Sequence, residues 1–212
     1  MTILSQPLPT EGGLVAIIKE ALPFLSMKNG PWIAGGAGRR LYENDKLQFS
    51  DIDVFFPNEE MMQWATNLFE GRRNDKSIWS PFKIIERRDG PMSVTFIIQS
   101  ADDQRRYPIQ FVKKKFFASM EELLDDFDFT LCMWGTDGVN LYYDHRAPID
   151  LASRTLVLHQ FPKRPKPNRL AKYVTQGFTP APGVLSHMLG THINAPWFIP
   201  ERGLVYDHED NY

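Results

Sequence analysis

Two aspartates set inside an apolar run constrain this chain more than any other feature. The stretch PWIAGGAGRRLYENDKLQFSDIDVFF, residues 31–56, carries a short hydrophobic segment into Gly35-Gly36. It continues through a polar spacer and closes on Asp51-Ile52-Asp53-Val54-Phe55-Phe56. In an extended strand, residues i and i+2 point to the same side. Asp51 and Asp53 therefore share one side, and Ile52 and Val54 turn toward a core on the other. Two carboxylates so close repel and raise each other's pKa unless positive charge lies between them. A hard cation such as Mg²⁺ neutralises such a pair through oxygen ligands and often bridges to substrate phosphates. The plain alternative is a strand edge with two solvated acids.

The glycine corner favours the metal reading. Gly35 and Gly36 have no β-carbon, so a phosphate can approach the backbone closely. If residues 37–43 form a helix, its free N–H groups point at that phosphate. Arg39 and Arg40 add positive charge nearby, although they read equally well as solvated helix charges. Ser50 places a hydroxyl in front of the acids. A pair of ions about 3.5–4 Å apart would activate an attacking hydroxyl and stabilise a leaving pyrophosphate. Other phosphate-binding patterns do not fit. Leu41 stands where a dinucleotide fingerprint needs its third glycine, and no Gly-Lys-Ser/Thr of a Walker loop is present.

Ala34-Gly35-Gly36 followed by Ser50-Asp51-Ile52-Asp53-Val54 resembles the signature of the nucleotidyltransferase superfamily that includes DNA polymerase beta. The resemblance implies a Mg²⁺-dependent enzyme that moves a nucleoside monophosphate from an NTP (ATP among the candidates) to a hydroxyl, with release of pyrophosphate. It implies Asp51 and Asp53 as catalytic metal ligands, and phosphate contacts from Gly35, Gly36, Ser50, Arg39 and Arg40. FDFTLCMW and RLAKYVTQGF are similar to segments of nucleotidyltransferase-like proteins of phages and large DNA viruses. The superfamily usually carries a third carboxylate on a later strand. Here the matching strand, Tyr107-Pro-Ile-Gln-Phe-Val, offers Gln110, and Asp128 is the candidate replacement. A catalytically silent fold that serves as a binding or assembly module, phage-encoded by the same resemblance, is the second reading. A nucleotide-sugar glycosyltransferase is a third; it would not need the glycine corner.

Composition narrows the remaining classes. With 212 residues, 42% of them hydrophobic and 24% charged, the chain is long enough for one well-buried domain and an appendage. A net charge of −2 gives no overall basic field, so an RNA partner would need a local patch. A single cysteine, Cys132, excludes a disulfide framework and fits a reducing, cytoplasmic compartment. No apolar run approaches the ~20 residues of a membrane span, and no histidine spacing fits structural zinc.

The expected fold class is α+β: a nucleotidyltransferase-like mixed β-sheet flanked by helices, with a C-terminal helical or irregular extension. Helical spacing covers residues 14–28, with Pro23 bending or ending it, and Asn58 reads as the N-cap of a helix reaching Gly71. FKIIERR, SVTFIIQS, YPIQFVKK and FDFTLCMW read as strands, and Ser119-Met-Glu-Glu122 as a capping box. The domain is expected over 1–150, with 151–212 packed on or near the cleft. In that extension Arg169, Lys172, Tyr173 and Gln176 share a helix face that could hold a triphosphate tail or an acceptor, RNA or protein. Trp197 is a candidate anchor for a partner.

Overall fold

A computed structural model describes residues 1–26, 29–43, 51–74, 82–101, 104–159 and 167–187. Ser50 and Trp197 lie outside the described residues. The chain divides into two compact units, Met1–Phe127 with Cys132–Ala147, and Asp128–Leu131 with Pro148–Tyr212.

The first unit is built on an eight-stranded mixed sheet: β1 (Ile3–Pro7), β2 (Trp32–Ala34), β3 (Ile52–Phe55), β4 (Phe82–Asp89), β5 (Ser93–Ser100), β6 (Arg106–Val112), β7 (Trp134–Thr136) and β8 (Asn140–Asp144). Their spatial order is β1-β8-β7-β2-β3-β6-β5-β4, and only β3 and β6 run parallel. Helices α1 (Gly13–Ala21), α2 (Gly36–Glu43), α3 (Glu59–Asn74) and α4 (Met120–Asp125) flank it. The expected α+β class holds.

Strand alternation sorts the core into two layers. Ile33, Val54 and Phe111 are paired neighbours on one side, where Phe24, Phe69, Phe96 and Phe111 form edge-on and tilted ring contacts at 5.0–6.2 Å. Trp32 and Ala34 turn to the other side and pack with Phe117, Met120, Leu123 and Leu124 from α4 and the segment before it. Local signals set the helix ends. Asn58 Oδ1 accepts the Met61 N–H at 2.8 Å, and Ser119 Oγ accepts the Glu122 N–H at 3.2 Å. Glu122 returns the bond to the Ala118 N–H at 2.7 Å, one residue before the cap.

Two expectations need correcting. FDFTLCMW is not one strand: Phe129 makes an isolated bridge with Leu158, Thr130–Cys132 form a 3-10 turn, and only Trp134 enters β7. Tyr173 is no surface ligand either. It is buried in the second unit, its ring 5.8 Å from that of Phe129. That unit holds α5 (Ala147–Ala152, from Pro148 onward), β9 (Thr155–Leu156), α6 (Pro167–Thr175) and β10 (Thr179–Pro180), with β9 and β10 parallel. Arg154, in the left-handed region at φ 50°, donates to the Gln176 and Gly177 carbonyls and stacks 4.9 Å from the Phe178 ring.

Asp144, fully buried at the end of β8, fixes the chain's exit from the sheet. It accepts from the Arg146 backbone N–H at 2.9 Å and from Arg146 Nε at 2.7 Å. Burial pushes its carboxyl up, but the Arg146 guanidinium, the Arg146 N–H and the charge of His145 together hold it below its ordinary value of 3.8. A lowered folded pKa means stability that is present above 3.8 and is lost as pH falls through the folded value. Asp144→Asn is expected to cost about 2 kcal/mol at neutral pH. It should also flatten the acid limb of a melting temperature–pH curve, and an unchanged acid limb would refute the assignment.

Candidate functional site

The opening motif folds as a corner followed by paired acids. β2 ends at Ala34, Gly35 turns the chain with φ +78°, and α2 begins at Gly36. Only the glycine accepts that backbone without strain. The Gly35 N–H donates to the Trp134 carbonyl at 2.8 Å, which ties the corner to β7. Gly36 is exposed, and a β-carbon placed there would meet nothing within 4 Å. Gly38 has the opposite surroundings: a β-carbon would stand 2.7 Å from the carbonyl carbon and oxygen of Trp134. One glycine of the run opens a space, and the other permits close packing.

Asp51 is exposed immediately before β3, and Asp53 is half-buried within it, on the side opposite the buried Ile52 and Val54. The donor set suits a hard divalent cation: two carboxylates two residues apart at the start of β3, which pairs with the strand that leads into the glycine corner. Among the described residues no group of three or more His, Cys, Asp or Glu gathers. In the parallel β3–β6 pairing, Asp53 stands beside Gln110, which in turn pairs with Thr95 on β5. The strand comparison made from sequence therefore places Gln110 correctly beside the acids.

The other candidates sit as follows. Arg39 is mostly buried and pairs with Glu43 one helical turn on, Nε to Oε2 at 3.4 Å. Arg40 is half-buried and borders a small cleft with Glu11, Gly12 and Leu14 at the start of α1. Asp128 belongs to the second unit. Its Oδ1 accepts the Phe129 N–H at 2.9 Å and meets Arg169 Nη2 at 3.0 Å. Lys172 is exposed on α6. Sequence reading missed Thr95 and Arg88, which continue the row outward from Gln110 onto β5 and β4. Only strand register shows them.

Residues 13–154, about two thirds of the chain, match the family described as Gabija anti-defense 2 family protein. The chain belongs to the Gabija anti-defense 2 family. No curated protein matches this family member. Among solved structures it is similar to the Thermotoga maritima CCA-adding enzyme complexed with tRNA, at 15% identity and a TM-score of 0.52. That match covers 91% of this chain and 46% of the other. A CCA-adding enzyme complexed with ATP matches at 16% identity and 0.53, over 90% and 46%. A tRNA nucleotidyltransferase complexed with a primer tRNA and an incoming ATP analog matches at 14% and 0.52, over 87% and 52%. The Gabija anti-defense 2 chain spans about half the length of these proteins. At such identities the likeness is one of fold, and the fold is nucleotidyltransferase-like. No helix among the described residues is long and apolar enough to cross a membrane.

Proposed function

We propose that this Gabija anti-defense 2 family member is a Mg²⁺-dependent nucleotidyltransferase that moves a nucleoside monophosphate from an NTP to an acceptor and releases pyrophosphate. The observation that carries the reading is the left-handed Gly35 corner leading from β2 into α2, next to the paired strand β3, which holds Asp53 and has Asp51 immediately before it. Fold neighbours complexed with ATP or an ATP analog support the substrate class. Asp51 and Asp53 would hold the metal, one ion or two. When bound, it would neutralise the triphosphate and stabilise charge on the leaving pyrophosphate. Gly35 and Gly36 would admit the phosphates to the backbone, with Ser50, Arg39, Arg40 and Lys172 as further phosphate contacts. Asp128 would be the third acid only if it left its pair with Arg169. Residues 1–150 would form the catalytic domain, and residues 151–212 a C-terminal extension. The family description gives the setting: the transfer, onto RNA or a protein, would act against Gabija defence.

A second reading rests on Gln110. An amide beside Asp53, in place of a carboxylate, suits a silent module that binds nucleotide and acts by assembly. One experiment separates the two. The protein is incubated with each labelled NTP, Mg²⁺ and either total RNA or total protein of the host, alongside Asp51→Ala and Asp53→Ala. Label that appears only with the natural chain supports the enzyme. Calorimetric NTP binding without label supports the module, and no binding at all refutes both.

A further inference from the structure

The eight-stranded sheet ends in β1 on one side and β4 on the other, and the two edges are built differently. An open edge offers a row of N–H and C=O groups to another chain, and charge or a bulge normally blunts it. β4 follows that rule. Lys83, Glu86, Arg87, Arg88 and Asp89 line it, and its register with β5 shifts between Ile84 and Glu86. β1, Ile-Leu-Ser-Gln-Pro, carries no charged side chain, and its register with β8 is unbroken. Among the described residues no strand pairs with its outer side. Large apolar side chains lie exposed around it: Met1 just before it, Leu4 within it at 44%, Val139 in the β7–β8 turn and Tyr42 on α2. The Tyr42 ring stands 5.8 Å from that of Tyr143, the residue paired with Leu4. The Val139 carbonyl accepts the Leu8 N–H at 3.0 Å, one residue after β1. Apolar surface gathered at one exposed place marks an interaction site.

Hydrogen-bond parity says which groups the edge offers. The His145 N–H donates to the Thr2 carbonyl and the Leu8 N–H to the Val139 carbonyl, both at 3.0 Å. In an antiparallel pair such bonded positions alternate, so Leu4 and Gln6 also bond toward β8. Ile3 and Ser5 therefore aim their N–H and C=O groups outward, and Pro7, at the next outward position, offers only its carbonyl. We infer that this edge pairs with the same edge of a second copy of the chain, antiparallel about a two-fold axis at Leu4. Ile3 then stands opposite the second copy's Ser5, and Ser5 opposite its Ile3, each pair exchanging both bonds. Leu4 meets its own copy in the close, non-hydrogen-bonded position, where side chains interact most. Pro7 falls opposite Met1 at the end of the pairing, where its missing N–H costs nothing between Ile3 and Ser5. An axis at Ser5 would set Pro7 against Ile3 and leave the Ile3 carbonyl without a donor. An axis at Ile3 would set apolar Leu4 against Thr2. The occupant is a second copy because the edge has no charge for another partner to complement, while its donors, acceptors and Leu4 complement themselves, as a two-fold interface requires.

The test is sedimentation equilibrium on the full chain at micromolar concentration, with twice the single-chain mass of 24.5 kDa expected. Ser5→Pro removes an outward N–H and leaves the bonds to β8 intact, so it should weaken the dimer about hundredfold. Leu4→Lys places charge on the edge and should act in the same direction, which keeps the test open should the proline variant fail to fold. Cross-linking reads the register. Leu4→Cys should oxidise to a covalent dimer, because Cα atoms about 4.5 Å apart in the close pair suit a disulfide. Gln6→Cys would stand opposite Thr2 and should stay a single chain, and the natural Cys132 is buried. A natural chain that sediments as a monomer overturns the inference, whatever other protein it binds. A dimer of undiminished affinity in the folded variants overturns it too, and so does Gln6→Cys cross-linking as readily as Leu4→Cys. None of these outcomes touches the nucleotidyltransferase reading, which rests on other residues.

Discussion

Asp53→Asn is expected to lower nucleotide transfer by about 10³-fold while the fold is kept. Asparagine has the same shape, so the strand between the buried Ile52 and Val54 is undisturbed. What is lost is an anionic oxygen donor, and a neutral amide is a poor ligand for a hard dication. The metal-free variant also carries one fewer of the two like charges on that side of the strand, so its melting temperature should hold. Ligand linkage gives a second readout. At about 100 times Kd, Mg²⁺ with a non-hydrolysable NTP should stabilise the natural chain by about 2.7 kcal/mol and the variant by little. Transfer by the variant at the natural rate would show that Asp53 holds no metal.

Alanine at Gly36 and at Gly38 should give opposite outcomes, although the two positions lie in one turn of the same helix. At Gly38 the new methyl would stand 2.7 Å from the Trp134 backbone, in a strand paired on both sides that has nowhere to move. Overpacking of this kind is expected to cost about 3 kcal/mol, read in a denaturant melt. At Gly36 the methyl meets open space, and alanine is the better helix residue by about 0.5–1 kcal/mol. Gly36→Ala should therefore fold at least as well as the natural chain. It should bind NTP about tenfold more weakly, because the methyl takes the space that a phosphate would occupy. Unchanged NTP affinity in Gly36→Ala would remove the corner from the site, and an equally stable Gly38→Ala would contradict the packing of α2 on β7.

Much of the core was legible because its signals are local. Alternation in SDIDVFF, the breakers Gly35 and Pro57, and the caps Asn58 and Ser119 act within a few residues of where they stand. Elements whose cause is distant were not legible. ILSQP carries no strand pattern of its own and becomes β1 by pairing with β8, which lies more than 130 residues away. FDFTLCMW reads as a continuous strand, yet its first half leaves the sheet. There Phe129 pairs with Leu158, the Thr130 N–H donates to the Val157 carbonyl at 3.0 Å, and the Thr130 hydroxyl donates to Asp150. Tyr173 looked like a ligand on an exposed helix face because periodicity alone does not say which face another ring will cover.

The sequence by itself determined the chemistry of the corner. The order of residue types, two glycines and then two acids at i and i+2, sets side-chain direction through backbone geometry alone. What stands beside those acids was decided only by the tertiary structure. Strand order and register put Gln110 next to Asp53, with Thr95 beyond it, and set Trp134 against Gly38. Those pairings join segments separated by tens of residues through hydrogen bonds that no local pattern encodes. The same two acids could have had a base or a donor beside them, and the register supplied donors.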